Sequence, residues 1–303
     1  MTGRPGDIAI GNAPVSYGAF ERTVGIDPDV PGAAHVLDAV AAAGYRGIDL
    51  GPTGYLGAGP QLADELGRRG LQLTGGYLEI DIGTDAGMTA GITELGEILT
   101  VFDAVRDGVP ARFLPRPTIA LITPDLTAAE RDGSQTVLWE RAWAALRSAE
   151  EVSREWGYEP CLHNEHGTFV ATPADIDRAL SGSTISLCLD TGHLLLGGGD
   201  PVECADRWWQ RIDHLHVKDV RQAGLDLLRR PGGDPAEMWS AGVFCALGQG
   251  AGRIREFTEL VAGRDYAGWI VVEQDILPSG AGSYAAAAAD QVSNREFLAG
   301  LGL

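Results

Sequence analysis

Short apolar runs alternate with amphipathic stretches along the whole chain. Eight of the runs have the length of buried strands, and eight stretches between them have the spacing of helices. The predicted strands cover 8–12, 47–50, 72–79, 117–122, 159–164, 185–190, 212–218 and 269–274. The predicted helices cover 33–43, 60–69, 89–106, 135–156, 173–181, 201–210, 253–263 and 284–299. This alternation predicts parallel strands whose outer faces are covered by helices.

The number of units defines the fold class. Eight strand–helix units in 303 residues predict an α/β fold, a single (β/α)8 TIM barrel over residues 1–303. A doubly wound open sheet would need a glycine-rich turn after the first strand, whereas residues 12–17 (NAPVSY) follow it here. One connection is long, at about 219–250, and a connection of that length usually forms a functional loop or lid.

Polar side chains follow the apolar part of four consecutive predicted strands. These residues are His163, Asp190, His216 and Glu273. The carboxyl ends of barrel strands meet at one face, where the functional residues of such barrels lie. A set of imidazole and carboxylate donors at that face predicts a site for a divalent metal.

Some of these residues also have an ordinary structural interpretation. Asp190 alone could cap a helix. His214 shares a strand face with His216 and could be a packed core residue, so we expect only one of the two at the rim. Glu273 is harder to explain by packing, because an unpaired carboxylate at the end of a buried strand is costly. The recurrence on four adjacent strands favours the metal site.

Composition draws attention to Lys218. Of the 23 basic residues it is the one lysine; the others are arginines. Lys218 alternates with Val217 and His216, so it shares a strand face with His216. A lysine ammonium can donate to a single oxygen, which predicts a contact with a carbonyl or enolate oxygen. Chance placement of a single lysine is the alternative.

Charge and hydropathy exclude several classes of protein. The formal net charge is 23 − 42 = −19, which argues against a nucleic-acid partner. No run approaches the roughly 18 apolar residues of a membrane span, and residues 1–7 lack the apolar core of a signal peptide. We therefore expect no membrane contact and a cytoplasmic location. The cysteines lack paired spacing, which indicates buried thiols in a reducing compartment rather than disulfides.

Two motifs resemble those of a known family. They are Asp190-Thr191-Gly192-His193 and His216-Val217-Lys218-Asp219, and they are supported by residues 11–21, 50–56, 242–250 and 268–275. The chain resembles the xylose-isomerase-like barrel superfamily of sugar isomerases and epimerases, and within it most of all the inosose (2-keto-myo-inositol) dehydratases. Residues 80–135 carry little of the resemblance.

The resemblance implies a metal held by one ligand from each of four strands. Asp190, His216 and Glu273 match three of the ligands. Much of the superfamily has a glutamate at the fourth position, and inosose dehydratases tend to have His-x-His there, whereas this chain has His163-Asn164-Glu165. We favour His163 as the ligand with Glu165 beside it as acid or base, and the reverse assignment stays open because both face the same side.

The activity implied is that of a lyase, a dehydratase that acts on a keto-inositol or a similar neutral keto-polyol. Glu165, or as second choice Glu273, would remove the α-proton. Lys218 would stabilise the developing oxyanion, and His193 would protonate the departing β-hydroxyl. Mn²⁺ or Co²⁺ would suit the mixed ligand set, with Mg²⁺ or Zn²⁺ as alternatives.

Other functions share parts of this interpretation. A ketose isomerase or epimerase shares the first proton transfer, and a keto-glycoside lyase belongs to the same superfamily. An abasic-site nuclease would need a basic face, and a non-enzymatic sugar-binding or metal-storage barrel would show no turnover. A homo-oligomer is a common state for such an enzyme. We expect the substrate pocket to be lined by Asn12, Tyr17, Tyr55 and Trp239, although aromatic rings in such loops can equally be packing residues.

Overall fold

The structure is a computed structural model that describes residues 8–126, 135–230, 235–278 and 283–303. The signal-peptide prediction concerns residues 1–7, which lie outside the described residues. The strands are β1 Ile8–Asn12, β2 Gly47–Ile48, β3 Gln72–Leu73, β4 Gly75–Asp81, β5 Arg116–Ile122, β6 Cys161–His163, β7 Ser186–Asp190, β8 Ile212–Val217, β9 Asp219–Val220, β10 Phe244–Cys245 and β11 Gly268–Val272. The helices are α1 Ala33–Ala42, α2 Gly59–Arg69, α3 Asp85–Ala104, α4 Gln135–Glu155, α5 Pro173–Ser181, α6 Thr191–Leu196, α7 Pro201–Trp208, α8 Gln222–Arg229, α9 Pro235–Ser240, α10 Ile254–Ala262 and α11 Ser283–Ala299.

Nine of the strands form one parallel sheet that returns on itself. Its order is β3-β2-β1-β11-β8-β7-β6-β5-β4. The two ends of that order, β3 and β4, are separated in the chain by Thr74 alone. Thr74 donates its N–H to Ile48 O (3.0 Å) and accepts from Arg116 N (3.2 Å), so it joins β2 to β5. β3 and β4 therefore occupy one position of an eight-position barrel, and the predicted single (β/α)8 barrel is confirmed.

Sheet register brings the predicted ligands side by side. In the β7–β8 pair Asp190 lies opposite His216, and in the β11–β8 pair Val271 lies opposite His216. The N–H of Glu273 continues this ladder by donating to Val217 O at 3.1 Å. Strand β11 is buried at every position, as expected for a strand between the barrel interior and a helical layer. The functional side chains thus project from rigid strand ends.

Helix starts follow the capping chemistry of the sequence. Thr172 and Asp175 form a capping box at α5, and Asp200 caps α7 with its side chain. The sequence predictions omit α6, a six-residue helix directly after β7. Its N-cap is Asp190, whose Oδ1 accepts the N–H of His193 at 2.7 Å. A helix this short shows too little periodicity to be recognised in a sequence.

The segment at about 219–250, predicted as a long loop, contains regular structure. β9 pairs antiparallel with β10, and α8 and α9 lie between them; residues 231–234 lie outside the described part. The segment has a small apolar cluster formed by Leu196, Val220, Leu225, Met238, Val243 and Phe244. Two-residue strands and helices of six to eight residues are too short for the hydrophobic period to reveal. An ordered helix–ribbon insert therefore replaces the predicted irregular connection.

Two predictions about chain chemistry can be compared with the structure. All four cysteines are buried and free, which agrees with the expected absence of a disulfide framework. Within the described ranges, no helix combines the length and the apolar character that a membrane crossing requires.

Candidate active site

The four predicted metal ligands converge at the carboxyl end of the barrel. Nδ1 of His216 lies 3.3 Å from Glu273 Oε2 and 4.0 Å from Asp190 Oδ2. Nε2 of His163 lies 3.6 Å from the same Asp190 oxygen. All four side chains are buried, with exposures of 0% for Asp190 and 7% for Glu273. The structure therefore brings together donors from four adjacent barrel strands.

Several of these donors lack a hydrogen bond. Asp190 caps α6 with Oδ1, but its Oδ2 has no hydrogen-bond partner among the described residues. The same holds, within that part of the chain, for both ring nitrogens of His163 and of His216. Buried polar atoms are nearly always hydrogen-bonded, so a cluster of unbonded donors fits a bound cation. The capping role and the ligand role of Asp190 are both compatible with its geometry.

Two overlapping sets of donors satisfy the spacing of a metal site. Asp190, His216 and Glu273 form one set, and His163, Cys188 and His216 form the other, each with ligand atoms within 4.8 Å of one another. The first set is rich in oxygen, and the second adds a thiol that softer metals prefer. Burial raises the pKa of the Cys188 thiol. The oxygen-rich set consists of three of the four ligands that the sequence predicts.

Lys218 lies inside the carboxylate cluster. Its Nζ is 3.3 Å from Asp190 Oδ2, 3.1 Å from Glu273 Oε2 and 2.7 Å from Asp275 Oδ1. Burial lowers the pKa of Lys218, but the three carboxylates outweigh burial and hold it well above its ordinary value. Burial likewise opposes ionisation of Asp190, yet the Lys218 ammonium keeps the pKa of Asp190 well below its ordinary value. The cluster therefore combines a positively charged Lys218 with a negatively charged Asp190.

The two sequence motifs bind each other around Lys218. Thr191 Oγ1 donates to Lys218 O at 2.8 Å and accepts from Lys218 N at 2.9 Å. A Cβ at position 192 would lie 2.8 Å from Lys218 Cβ, so only glycine lets the lysine stem pass. His193 Nε2 lies 3.1 Å from Lys218 Nζ. Each residue of Asp190-Thr191-Gly192-His193 thus contacts the lysine, which explains why the two motifs occur together.

His193 is placed as a proton donor. Its Nε2 lies 3.6 Å from Asp275 Oδ2, and its ring packs edge-on against Phe244 at 5.6 Å between centroids. Burial and Lys218 lower the pKa of His193, but Asp190 and Asp275 outweigh them and hold it above its ordinary value. When it is protonated, an imidazole at this position can act as a general acid.

Glu165 lies on the edge of the His163 ring that faces away from Asp190. Its Oε2 is 3.7 Å from His163 Nδ1, whereas Asp190 faces Nε2. The preceding residue, Asn164, fixes this strand end, because its amide donates to Asp190 O and accepts from Asp190 N. Tyr77 donates its hydroxyl to Glu165 Oε2 at 2.6 Å. Of the two candidates for the fourth ligand, His163 thus directs its Nε2 toward Asp190. Glu165 lies on the other edge of the His163 ring.

The predicted substrate-binding residues are placed less uniformly. Asn12 is fully buried and donates to Val272 O and Gln291 Oε1. Tyr17 is 2% exposed and packs near Tyr284. The Tyr55 hydroxyl donates to Pro31 O. Trp239 packs against Phe244, the ring that contacts His193 and Lys218. The contacts of Trp239 connect it to the cluster, and Asn12 bonds the residue before Glu273, whereas the Tyr55 hydroxyl bonds Pro31.

Sequence reasoning missed several residues of the site. They are Tyr77, Asn164, Asp219, Phe244 and Asp275. Asp219 accepts the N–H groups of Val220, Gly248, Gly250 and Gly252, all at 2.9 Å, and so fixes the glycine loop beside the lysine. A signal existed for Tyr77, because Tyr77 and Glu79 interrupt an apolar strand at alternate positions. The role of Asp275 depends on a contact between distant strands.

A second polar layer lies deeper in the barrel. A Cβ at position 75 would lie 2.9 Å from Asp49 Oδ2 and 3.4 Å from His214 Nε2, so both groups face Gly75. Neither ring nitrogen of His214 nor Asp49 Oδ2 has a hydrogen-bond partner among the residues that the structure describes. Burial raises the pKa of Asp49 to about 6, although the charge of His216 opposes the shift. Asp49 is therefore costly to ionise in the folded protein.

We expect Asp49→Asn to stabilise the protein in a pH-dependent manner. The unfolded carboxyl ionises near pH 4, and the folded one near pH 6, so the wild type loses stability as pH rises through this window. The variant should be about 3 kcal/mol more stable at about pH 8 and equally stable near pH 4. Urea unfolding of both proteins in chelator at the two pH values measures this. The exposed Asp64→Asn is the control, and an equal gain at both pH values would contradict the expectation.

Comparison with known proteins agrees with this geometry. The chain matches the family model of the xylose isomerase-like TIM barrel over residues 37–291. It is similar to the inosose dehydratase of Geobacillus kaustophilus (strain HTA426), with 28% identity over 298 residues that cover 91% of this chain and 90% of the relative. The match to a curated relative thus extends over nearly the whole chain.

Solved structures share the fold at lower identity. A probable 3-DHS dehydratase, AsbF, from Bacillus anthracis has a TM-score of 0.65 and 15% identity, and the match covers 93% of this chain and 97% of that chain. The IOLI protein, whose structure contains a binding zinc atom, has a TM-score of 0.64 and 12% identity over 96% of each chain. At these identities the likeness concerns the barrel architecture.

Proposed function

The chain belongs to the xylose isomerase-like TIM barrel family, and from this premise we propose that it is a metal-dependent dehydratase of a keto-inositol or a similar neutral keto-polyol. At a coarser level it is a sugar-converting enzyme of the dehydratase or isomerase type. The inosose dehydratase name of its curated relatives supports assignment to the lyases. The proposal of a metal-dependent dehydratase for a neutral keto-polyol rests on the chemistry of the site.

One observation carries the proposal: a candidate base and a candidate acid lie beyond different edges of the His163 ring. On the Nδ1 edge of His163 lies a carboxylate, Glu165, and beyond the Nε2 edge, past Asp190, lie Lys218 and His193, whose Nζ and Nε2 are 3.1 Å apart. A base on one side and an acid on the other suit elimination of water. An epimerase would instead use a second base to return the proton to the opposite face. The arrangement favours the dehydratase because His193 and Lys218 supply the acid that loss of a hydroxyl needs.

The residues divide the reaction between them. His163, Asp190, His216 and Glu273 would hold a divalent cation, which when bound would supply Lewis-acid polarisation of the ketone and so lower the pKa of the neighbouring C–H. Glu165 accepts the α-proton, with Glu273 as the second candidate. Lys218 donates a hydrogen bond to the oxygen on which negative charge develops. His193 donates its proton to the β-hydroxyl, whose C–O bond breaks as the C=C bond forms, and water leaves.

Metal identity follows from the donor set. Two imidazoles and two carboxylates are neither the all-oxygen set typical of Mg²⁺ nor the thiolate set of a structural zinc site. We therefore propose Mn²⁺ or Co²⁺, with Zn²⁺ and Mg²⁺ as alternatives. The IOLI protein, which has a similar fold, binds zinc, and this supports a divalent cation at such a site.

The charges around the site favour an uncharged substrate. Near the cluster, Lys218 is enclosed by three carboxylates, and the whole chain carries a net charge of −19. A phosphorylated sugar would be repelled by this field, whereas a neutral polyol would not. The proposal therefore includes a neutral substrate. The cytoplasmic location and a homo-oligomeric state remain predictions.

Incubation of the Mn²⁺-loaded protein with scyllo-inosose tests the proposed function. A dehydratase forms a conjugated enol-dione, so an ultraviolet absorption band should grow with time. An epimerase or isomerase would change the sugar without producing that band. A keto-glycoside lyase would leave the inosose unchanged and cleave a 3-keto-glycoside instead. Testing both substrates therefore distinguishes the lyase from the dehydratase.

A further inference from the structure

Tyr77 of β4 lies between two carboxylates at the mouth of the barrel. Its hydroxyl oxygen is 2.6 Å from Glu165 Oε2 and 3.1 Å from Glu79 Oε1. A phenol has one hydrogen to donate, and the shorter distance assigns it to Glu165. Hydrogen bonds from a hydroxyl to a carboxylate at this length are among the stronger ones in proteins. The proposed mechanism gives this hydroxyl no role.

The same side chain also packs against a metal ligand. The Tyr77 ring meets the His163 ring edge-on, with 5.6 Å between centroids and an interplanar angle of 85°. Glu165 Oε2 and the Tyr77 hydroxyl therefore lie on the Nδ1 side of the imidazole, while Nε2 faces Asp190. One tyrosine thus contacts both candidates for the fourth ligand.

The backbone of Glu165 is held in place independently of its side chain. Its N–H donates to Val170 O at 3.2 Å, and Thr168 Oγ1 donates to its carbonyl at 2.8 Å. Only side-chain rotation can therefore carry the carboxylate toward the metal cluster. In the described part of the chain, neither set of converging ligand atoms includes Glu165. Its Oε2 lies 2.6 Å from the Tyr77 hydroxyl and 3.7 Å from His163 Nδ1, so the hydroxyl is its nearer partner.

We propose that Tyr77 is a positioning residue that holds Glu165 away from the bound metal and so keeps this carboxylate free to accept a proton. The inference rests on the proposed function, because Glu165 needs this freedom only if it is the base. A carboxylate released beside a divalent cation is attracted to it strongly, since the dielectric of a buried site is low. Without the hydroxyl, the base would become a ligand.

Titration of Co²⁺ into metal-free protein, followed by visible absorption, tests this role without substrate. In Tyr77→Phe we expect the Co²⁺ affinity to rise about tenfold and the absorption bands to weaken as a ligand is added, while turnover of scyllo-inosose falls about 10- to 100-fold. Adding Glu165→Gln to Tyr77→Phe should restore the wild-type affinity and spectrum. Glu79→Gln, which alters the other carboxylate on the same hydroxyl, should leave both unchanged.

Three results would overturn the role of Tyr77. They are a Tyr77→Phe protein with the wild-type Co²⁺ spectrum, a double variant that keeps the altered spectrum, and a Glu79→Gln protein that reproduces the Tyr77→Phe change. Failure of the proposed function gives a different pattern. A wild-type protein that binds Co²⁺ but does not dehydrate the inosose would contradict the proposed function, and the spectra would still decide the effect of Tyr77 on coordination.

Discussion

Glu165→Gln and His193→Ala are each expected to lower the turnover number of the metal-loaded protein by about 10²- to 10⁴-fold. Glu165→Gln keeps the shape of the side chain and removes the base, because an amide cannot accept the α-proton. His193→Ala removes the acid that protonates the departing hydroxyl. Neither residue belongs to the Asp190–His216–Glu273 set, so metal content should stay near that of the wild type.

Steady-state rates and metal analysis of the same preparations measure this prediction. Glu79→Gln is the matched control for Glu165→Gln, because both carboxylates lie beside the Tyr77 hydroxyl. His35→Ala is the control for His193→Ala, since His35 packs near Tyr284 on the helical side of the barrel. The assignment of roles fails if both variants dehydrate the substrate at nearly the wild-type rate, or if metal is lost together with activity.

Asp190→Asn is expected to weaken metal binding by more than about 100-fold and to abolish turnover with it. The substitution removes one negative charge from the cluster. In one of the two amide rotamers it also puts a nitrogen, which cannot bind a cation, in place of Oδ2, an oxygen without a hydrogen-bond partner among the described residues. It also removes one of three carboxylates around Lys218. If Asp190 is a direct ligand, as we propose, the effect exceeds that of changing an outer-sphere residue.

The control for Asp190→Asn separates metal binding from helix capping. Asparagine is as good an N-cap as aspartate, so α6 should remain. Asp200→Asn makes the same change at the N-cap of α7, where Asp200 accepts the N–H groups of Val202 and Glu203 and pairs with Arg253. Isothermal titration with Mn²⁺ compares the two variants. Equal affinities in both would show that Asp190 does not hold the metal.

The barrel and the convergence of His163, Asp190, His216 and Glu273 were predictable because each depends on short-range patterns. A continuously apolar strand followed by a polar residue identifies both the strand and its functional end, as at Asp190 and Glu273. Alternation places His216 and Lys218 on one face without knowledge of any other strand. The position of Glu273 beside His216 then follows from the closure of a parallel barrel.

The missing residues act through contacts that join distant parts of the chain. Asp275 reaches Lys218 across 57 residues of the chain, and Tyr77 reaches Glu165 across 88. No local period encodes such pairs, and an aromatic residue on a strand is by itself typical of packing. The pocket role of Asn12 stays a prediction, because its amide nitrogen is bonded to Gln291 while its Oδ1 has no hydrogen-bond partner among the described residues. The insert after β8 escaped prediction because its elements are only two to eight residues long.

The claim that this barrel uses a divalent metal to eliminate water from a neutral keto-polyol has one direct test. The product formed from scyllo-inosose is analysed by mass spectrometry for the chelator-treated protein before and after Mn²⁺ is restored. We predict a product lighter than the substrate by one water with Mn²⁺ and none in chelator. A product of unchanged mass, or an equal loss of water in chelator, would contradict a metal-dependent dehydration.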